Sequence, residues 1–289
     1  MASIKELRQK IGSLKNTNKI TSAMKLVASS KLKKAQDALN RNSPYLANLT
    51  GIVQRVVRSV GASSFYLLKP VYEPKNIRVI LFSSDKGLCG SFNAALFKML
   101  QNQIKGEWGH VNVEVIALGK KGSEYFSRRF PVKNLVIKPG IPAKVPVSIA
   151  QELTKSCIED FKAKKIDAVY LAYNHFASMI AQQPTLTQIL PLTLPKSEAK
   201  IPCLDYFCEP DVNDMLNLMI PQLIQSVMFR AMLENVLGFN AAQMNAMDSA
   251  TKNSKDLIGR YTLSMNRARQ TAITTELSEI VAGAESLKN

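Results

Sequence analysis

Residues 211–287, DVNDMLNLMIPQLIQSVMFRAMLENVLGFNAAQMNAMDSATKNSKDLIGRYTLSMNRARQTAITTELSEIVAGAESL, decide how the rest of the chain must be arranged. Apolar side chains return at helical spacing: Met215, Leu218, Leu223, Val227, Met244, Met247, Leu257, Tyr261, Met265, Ile273, Leu277, Ile280 and Ala284. Beyond Pro221 no proline interrupts the run, and Gly238, Gly259 and Gly283 are its only glycines. One continuous helix over this span would be on the order of 110 Å long. Such a rod needs a partner along its length.

The start of the chain supplies part of that partner. A first long helix is expected over residues 3–58, opened by a capping box of Ser3 and Glu6. Steps of three and four residues link Ile4, Leu7, Ile11 and Leu14, then Asn18, Thr21 and Lys25, then Ala28, Leu32, Ala35 and Leu39. The middle of this seam is polar, and the expectation is that the apolar stripe moves there to Ile20, Met24 and Val27. Pro44 is expected to kink the helix by removing one hydrogen bond.

Between the helices the period changes. Residues 61–76 read as a linker. Short apolar runs at 77–83, 111–118, 132–137, 168–174 and 186–192 read as strands, and 92–104, 121–129 and 146–164 as helices. Strands alternating with helices imply a mostly parallel sheet covered on both faces. The predicted fold is therefore an antiparallel coiled coil of N- and C-terminal helices with an inserted Rossmann-like α/β domain. Its parts are a coiled-coil helix at 1–60, the α/β domain at 76–200 and a second coiled-coil helix at 208–289.

The insert must return the chain to where it left the first helix, so the long helices run antiparallel. Counting back at equal rise places Met24 opposite Gln243. The second helix is longer, and Arg269 to Leu287 should project beyond the N-terminus as a lone helix. That tip still carries Ile273, Leu277, Ile280, Val281 and Ala284 on one side. A single helix with such a face is poorly stable in water, so another protein must sheathe it.

Composition narrows the chemistry. The 289 residues carry 38 Lys and Arg against 22 Asp and Glu, a net charge of +16, which points to an acidic partner. Much of this charge lies on the first helix, from Lys5, Arg8 and Lys10 to Arg41, Arg55 and Arg58. Tyr45 is the only aromatic residue there, so stacking of bases has little to work with. Cys89, Cys157, Cys203 and Cys208 lack paired metal spacing and suggest a reducing compartment. No segment reads as a membrane span, the N-terminus lacks an apolar signal core, and Glu6 argues against a transit peptide.

Catalytic signals are thin. Ser84-Asp-Lys-Gly-Leu-Cys-Gly-Ser91 is a strand-to-helix turn with glycines, but it matches neither phosphate-binding spacing, and neither does Gly119-Lys-Lys-Gly-Ser123. His110 and His175 are isolated. No cofactor, metal site or catalytic residue is expected. Besides a non-catalytic rod, two readings stay open: a basic coiled-coil nucleic-acid-binding protein, and a nucleotide-dependent enzyme built on the Gly87–Gly90 turn.

Three stretches carry a family resemblance. Residues 11–24 (IGSLKNTNKITSAM) with 27–32 (VASSKL), residues 84–93 (SDKGLCGSFN) and residues 273–286 (ITTELSEIVAGAES) are similar, in this order, to motifs of the gamma subunits of F-type ATP synthases. The resemblance covers essentially the whole chain. It implies a central rotor shaft, its coiled coil inside a hexamer of alternating alpha and beta subunits and its base on a ring of c subunits with epsilon. One copy would serve each complex, peripheral on the cytoplasmic face of a bacterial plasma membrane, with no nucleic acid. By matching positions it makes Met24, Gln243, Arg269, Gln270, Thr274 and Glu276 rotor–stator contacts. Gln243 stands where the family often has arginine, so that contact carries no charge. Lys86, Tyr206 and Glu209 would belong to the base. The dithiol insert of plant-type relatives is missing, so redox control is not carried over to Cys203 and Cys208.

Overall fold

The computed structural model describes residues 3–60, 65–193 and 212–286. Helix α1 spans Ile4–Val60 and helix α5 Val212–Ser286. Between them lie β1 (Asn76–Phe82), α2 (Phe92–Lys105), β2 (Asn112–Leu118), α3 (Lys120–Glu124), β3 (Asn134–Lys138), α4 (Val147–Lys162), β4 (Ala168–Phe176) and β5 (Gln182–Leu190). The chain divides into two compact units. One holds residues 1–28 and 244–289, the other residues 29–243.

In the larger unit the strands form one sheet in the order β3-β2-β1-β4-β5. The first four are mutually parallel, and β5 returns antiparallel to β4. Side chains of β1 alternate between two cores, as a strand covered on both faces requires. Ile77, Val79 and Leu81 join Leu96, Phe97, Leu100 and Phe126 beneath α2. Ile80 and Phe82 join the opposite core, where α4 residues Leu153 and Cys157 meet Leu46, Leu49, Val53 and Val56 of α1 and Leu216 to Met232 of α5. The first part of α5 is thus a core helix: every residue from Ala231 to Gly238 is buried.

Buried in that second core is Arg78, next to Ile77 on β1. Its guanidinium meets Glu114 of β2 and, at 2.8 Å, Asp160 of α4. Burial works against its charge, but the two carboxylates outweigh it and raise the pKa above the usual arginine value. Nearby Cys157 is fully buried, and desolvation pushes its thiol up to about 11.

In the smaller unit Ser3 and Glu6 form the expected reciprocal capping box, each backbone amide 3.3 Å from the other's side chain. Leu7, Ile11, Thr21 and Ala28 are buried at the expected seam spacing. On α5 the sheltered positions after the run 244–248 are 250, 251, 254, 258, 261, 262, 265, 268 and 272, from 251 onward in steps close to three and four.

Four expectations need correction. The seam does not leave Asn18, Thr21 and Lys25; Ile20 and Val27 instead lie 61 and 54 % exposed, and Met24 is half-buried. The pairing Lys25–Asp248 puts Met24 level with Met247, about one turn beyond the Gln243 reached by equal counting. The segment 121–129 is not one helix: α3 gives way to a π-helical turn at Tyr125–Arg129. Strand β5 begins at Gln182 and runs through Pro184, which an edge strand tolerates because its missing N–H can face outward. Pro44 lies inside α1 without ending it.

Candidate functional site: two helix surfaces and one turn

The seam of the smaller unit is held by polar groups at its centre. Asn18 Nδ2 donates to the Thr251 carbonyl at 2.8 Å, and the hydroxyls of Thr251 and Thr21 lie 2.8 Å apart. Lys25 Nζ reaches Asp248 Oδ1 at 2.6 Å, and Lys252 reaches the other oxygen at 2.9 Å. Hydrogen bonds from Lys25 and then Lys252 lower the Asp248 pKa to about 2. Farther along, Lys10 lies 5.9 Å from the centre of the Tyr261 ring. Polar positions that look like a break in the stripe are therefore its most specific contacts.

Met24 borders this layer. Beside it Ile20 and Val27 are exposed, and Leu26 is exposed on another side of the helix. Sequence reasoning singled out Met24 and passed over Leu26. A large apolar side chain off the seam was the available signal.

Toward the end of α5 the shelter stops. Arg269, Gln270, Thr274 and Glu276 are all exposed. Between them Ile273, Leu277, Ile280 and Val281 are 46, 57, 67 and 61 % exposed. The hydroxyls of Thr271, Thr274, Thr275 and Ser278 each fold back onto the carbonyl four residues earlier. The polar side chains are thus partly satisfied within the helix, while the apolar ones have no cover from the described residues. Gln243, half-buried, belongs to the larger unit and falls outside this group.

The turn after β1 is built from its own hydrogen bonds. The Ser84 amide and hydroxyl are both taken by Asn93, and the Ser84 hydroxyl also reaches the Lys86 carbonyl at 2.6 Å. Asp85 caps the Lys120 amide. Ser83 Oγ accepts from the Gly122 amide and sits against the Leu118 carbonyl. Gly119, at φ 106°, lies so close that a Cβ there would stand 2.4 Å from the Ser83 carbonyl oxygen. The glycines of 119–123 therefore serve close packing against β1. Leu88 holds a left-handed φ of 61° and is exposed, as is Lys86.

In an open parallel sheet, ligands bind beyond the strand ends where the strand order reverses, here between β1 and β4. That place is filled by α5. The Gly238 backbone packs beside Phe92, Gln182 and the Asn174 carbonyl, and Phe239 stacks edge-on against Phe92 at 6.0 Å. Asn174 Nδ2 binds the Phe92 carbonyl. Close by, His175 and Arg230 both hold the buried Glu234, at 2.6 and 2.8 Å. This trio was missed by sequence reasoning, since His175 and Glu234 are 59 residues apart. Among the described residues no group of His, Cys, Asp and Glu is arranged to hold a metal ion, and no helix is long and apolar enough to cross a membrane. Tyr206, Glu209, Cys203 and Cys208 lie outside the described residues.

Comparison with known proteins agrees along the whole chain. The family model described as ATP synthase matches residues 3–287. An ATP synthase gamma chain of Desulforamulus reducens is 38 % identical over 289 residues, covering all of both chains. One of Chlorobaculum tepidum is 38 % identical over 292 residues, again covering both completely. Among solved structures, a chain of the Euglena gracilis mitochondrial ATP synthase assembly of F1 and c-ring shares the fold at a TM-score of 0.62 and 18 % identity, over 98 % of this chain and 94 % of that one. A chain of the Tetrahymena thermophila central stalk and c-ring matches at 0.60 and 23 %, over 80 and 99 %.

Proposed function

The chain belongs to the family of ATP synthase gamma chains, and from that premise we propose that it is the central rotor shaft of an F-type ATP synthase. It is a non-catalytic subunit. Rotation of a proton-driven c ring turns the shaft, and the shaft's asymmetry drives the catalytic sites of the alpha–beta hexamer through making and releasing ATP. The observation that carries this reading is the bare apolar face of α5 beyond Ala268. A helix exposing such a face is marginal in water and becomes stable inside a collar of other chains.

Met24, Arg269, Gln270, Thr274 and Glu276 then meet the surrounding hexamer, and Ile20 and Val27 extend the Met24 contact. Gln243 makes an uncharged contact nearer the α/β domain. Lys86, together with Leu88 on the same turn, faces the base, where Tyr206 and Glu209 complete the contact with epsilon and the c ring. One copy serves each complex, held peripherally on the cytoplasmic face of the bacterial plasma membrane. The nucleic-acid reading gains no support from the relatives or from any surface described above.

Co-purification tests the proposal. The native chain should travel with alpha, beta and epsilon subunits at one copy per three alpha–beta pairs. Removing the segment from Ile273 onward should weaken assembly more than it slows turnover of the complexes that still form. A chain that purifies free of alpha and beta, or a truncation that assembles normally yet loses all coupling, overturns it.

A further inference from the structure

The two edges of the sheet are unlike. The β5 edge carries Pro184, and its pairing with β4 is broken by a register shift at Val169/Tyr170. The β3 edge, Asn134–Lys138, has no proline and pairs with β2 in unbroken register. Its one charge, Lys138, is tied to Glu152 at 2.6 Å. Val136 and Ile137 are 39 and 62 % exposed. Among the described residues, only β2 and the Gly119 amide bond to the β3 backbone. A parallel strand bonded on one side leaves alternate N–H and C=O groups pointing outward. Proteins usually blunt such an edge with proline, a bulge or a free charge. Here none of the three is present.

The surroundings select the occupant. Arg128 and Arg129 end the turn leading into β3, and Lys133 directly precedes it; all three are exposed. The neighbouring carboxylates Glu124 and Glu152 are already paired, with Lys121 and Lys138. A second copy of this strand would bring the same cations against these, which disfavours self-pairing. We propose that β3 accepts an extended, acidic segment of a different polypeptide as a sixth strand. Backbone hydrogen bonds supply the affinity, an apolar side chain covers Ile137, and flanking carboxylates meet Arg128, Arg129 and Lys133.

The test uses the full chain and two short synthetic peptides with one Val-Thr-Val core, flanked by glutamates in one and by lysines in the other. Backbone hydrogen exchange is followed at residues 134–138. The acidic peptide should slow exchange of the outward amides by about tenfold or more, and the lysine-flanked one should not. Ile137→Ser, which removes the apolar contact without adding charge, should weaken the acidic peptide about tenfold while leaving the melting temperature unchanged. Arg128→Glu with Arg129→Glu should weaken it without altering the strand. Three results overturn the proposal: no protection by either peptide, equal protection by both, or protection that rises with protein concentration alone and marks a second copy as the occupant.

Discussion

The two halves of α5 have the same backbone and opposite surroundings. From Leu223 to Gln243 no residue of the helix is exposed, and in the run 231–238 there is no solvent face at all. From Met244 onward it shelters only one stripe, and beyond Ala268 almost nothing. In a helix of this length most of the stability comes from what packs on it, not from intrinsic propensity. The first half is held by tertiary packing and the middle by a seam with one other helix, while the end has no such cover from the described residues.

Substitutions should break this contrast in a definite order. Arg78→Ala in the larger unit leaves Glu114 without its cation and Asp160 with Lys165 alone, and should cost about 3 kcal/mol in chemical denaturation. Met232→Ala, a fully buried site on α5, should cost about 2–5 kcal/mol, whereas Leu277→Ala on the same helix should stay within about 0.5 kcal/mol for the isolated chain. If Leu277→Ala is as damaging as Met232→Ala, the tip is packed within its own polypeptide and the contrast fails. Thr251→Val keeps the shape but deletes the hydroxyl shared with Thr21, and should cost about 1 kcal/mol.

The smallest expected effect is a pH dependence. The Asp248 pKa of about 2 lies below its ordinary 3.8. A depressed carboxylate stabilises the fold above its ordinary pKa, and that contribution disappears as pH falls from about 4 toward 2. Asp248→Asn should flatten the acid limb of the melting curve over this window. An unchanged limb would show that Lys25 and Lys252 do not hold this carboxylate in solution.

The coiled-coil seam was legible from the sequence because a three-four spacing of Leu7, Ile11, Ala28 and Leu32 has no other simple reading. The polar stretch at Asn18, Thr21 and Lys25 was placed on that spacing, yet its burial was not foreseen. Pattern reading scores side chains by hydrophobicity, and a polar group such as Thr21 takes a seam position only when its partner, here Thr251, is known. The α/β order of the insert was readable from alternating periods. The start of β5 was not, because Pro184 argues against a strand unless the strand is known to be at the edge. Of the candidate contacts, the exposed tip could be inferred from the unequal helix lengths alone. The filling of the strand-order reversal by Gly238 and Phe239 could not, since it joins residues far apart in sequence.

The Asn18–Thr21–Lys25 layer bears on how twist is carried. A seam of interchangeable leucines can creep by one turn, about 5.4 Å, and find equivalent neighbours. Here that slip would part Lys25 from Asp248, and the positions one turn away, Met244, Asn245, Thr251 and Lys252, offer it no carboxylate. Like teeth on a splined axle, these groups hold the two helices of the seam in one register.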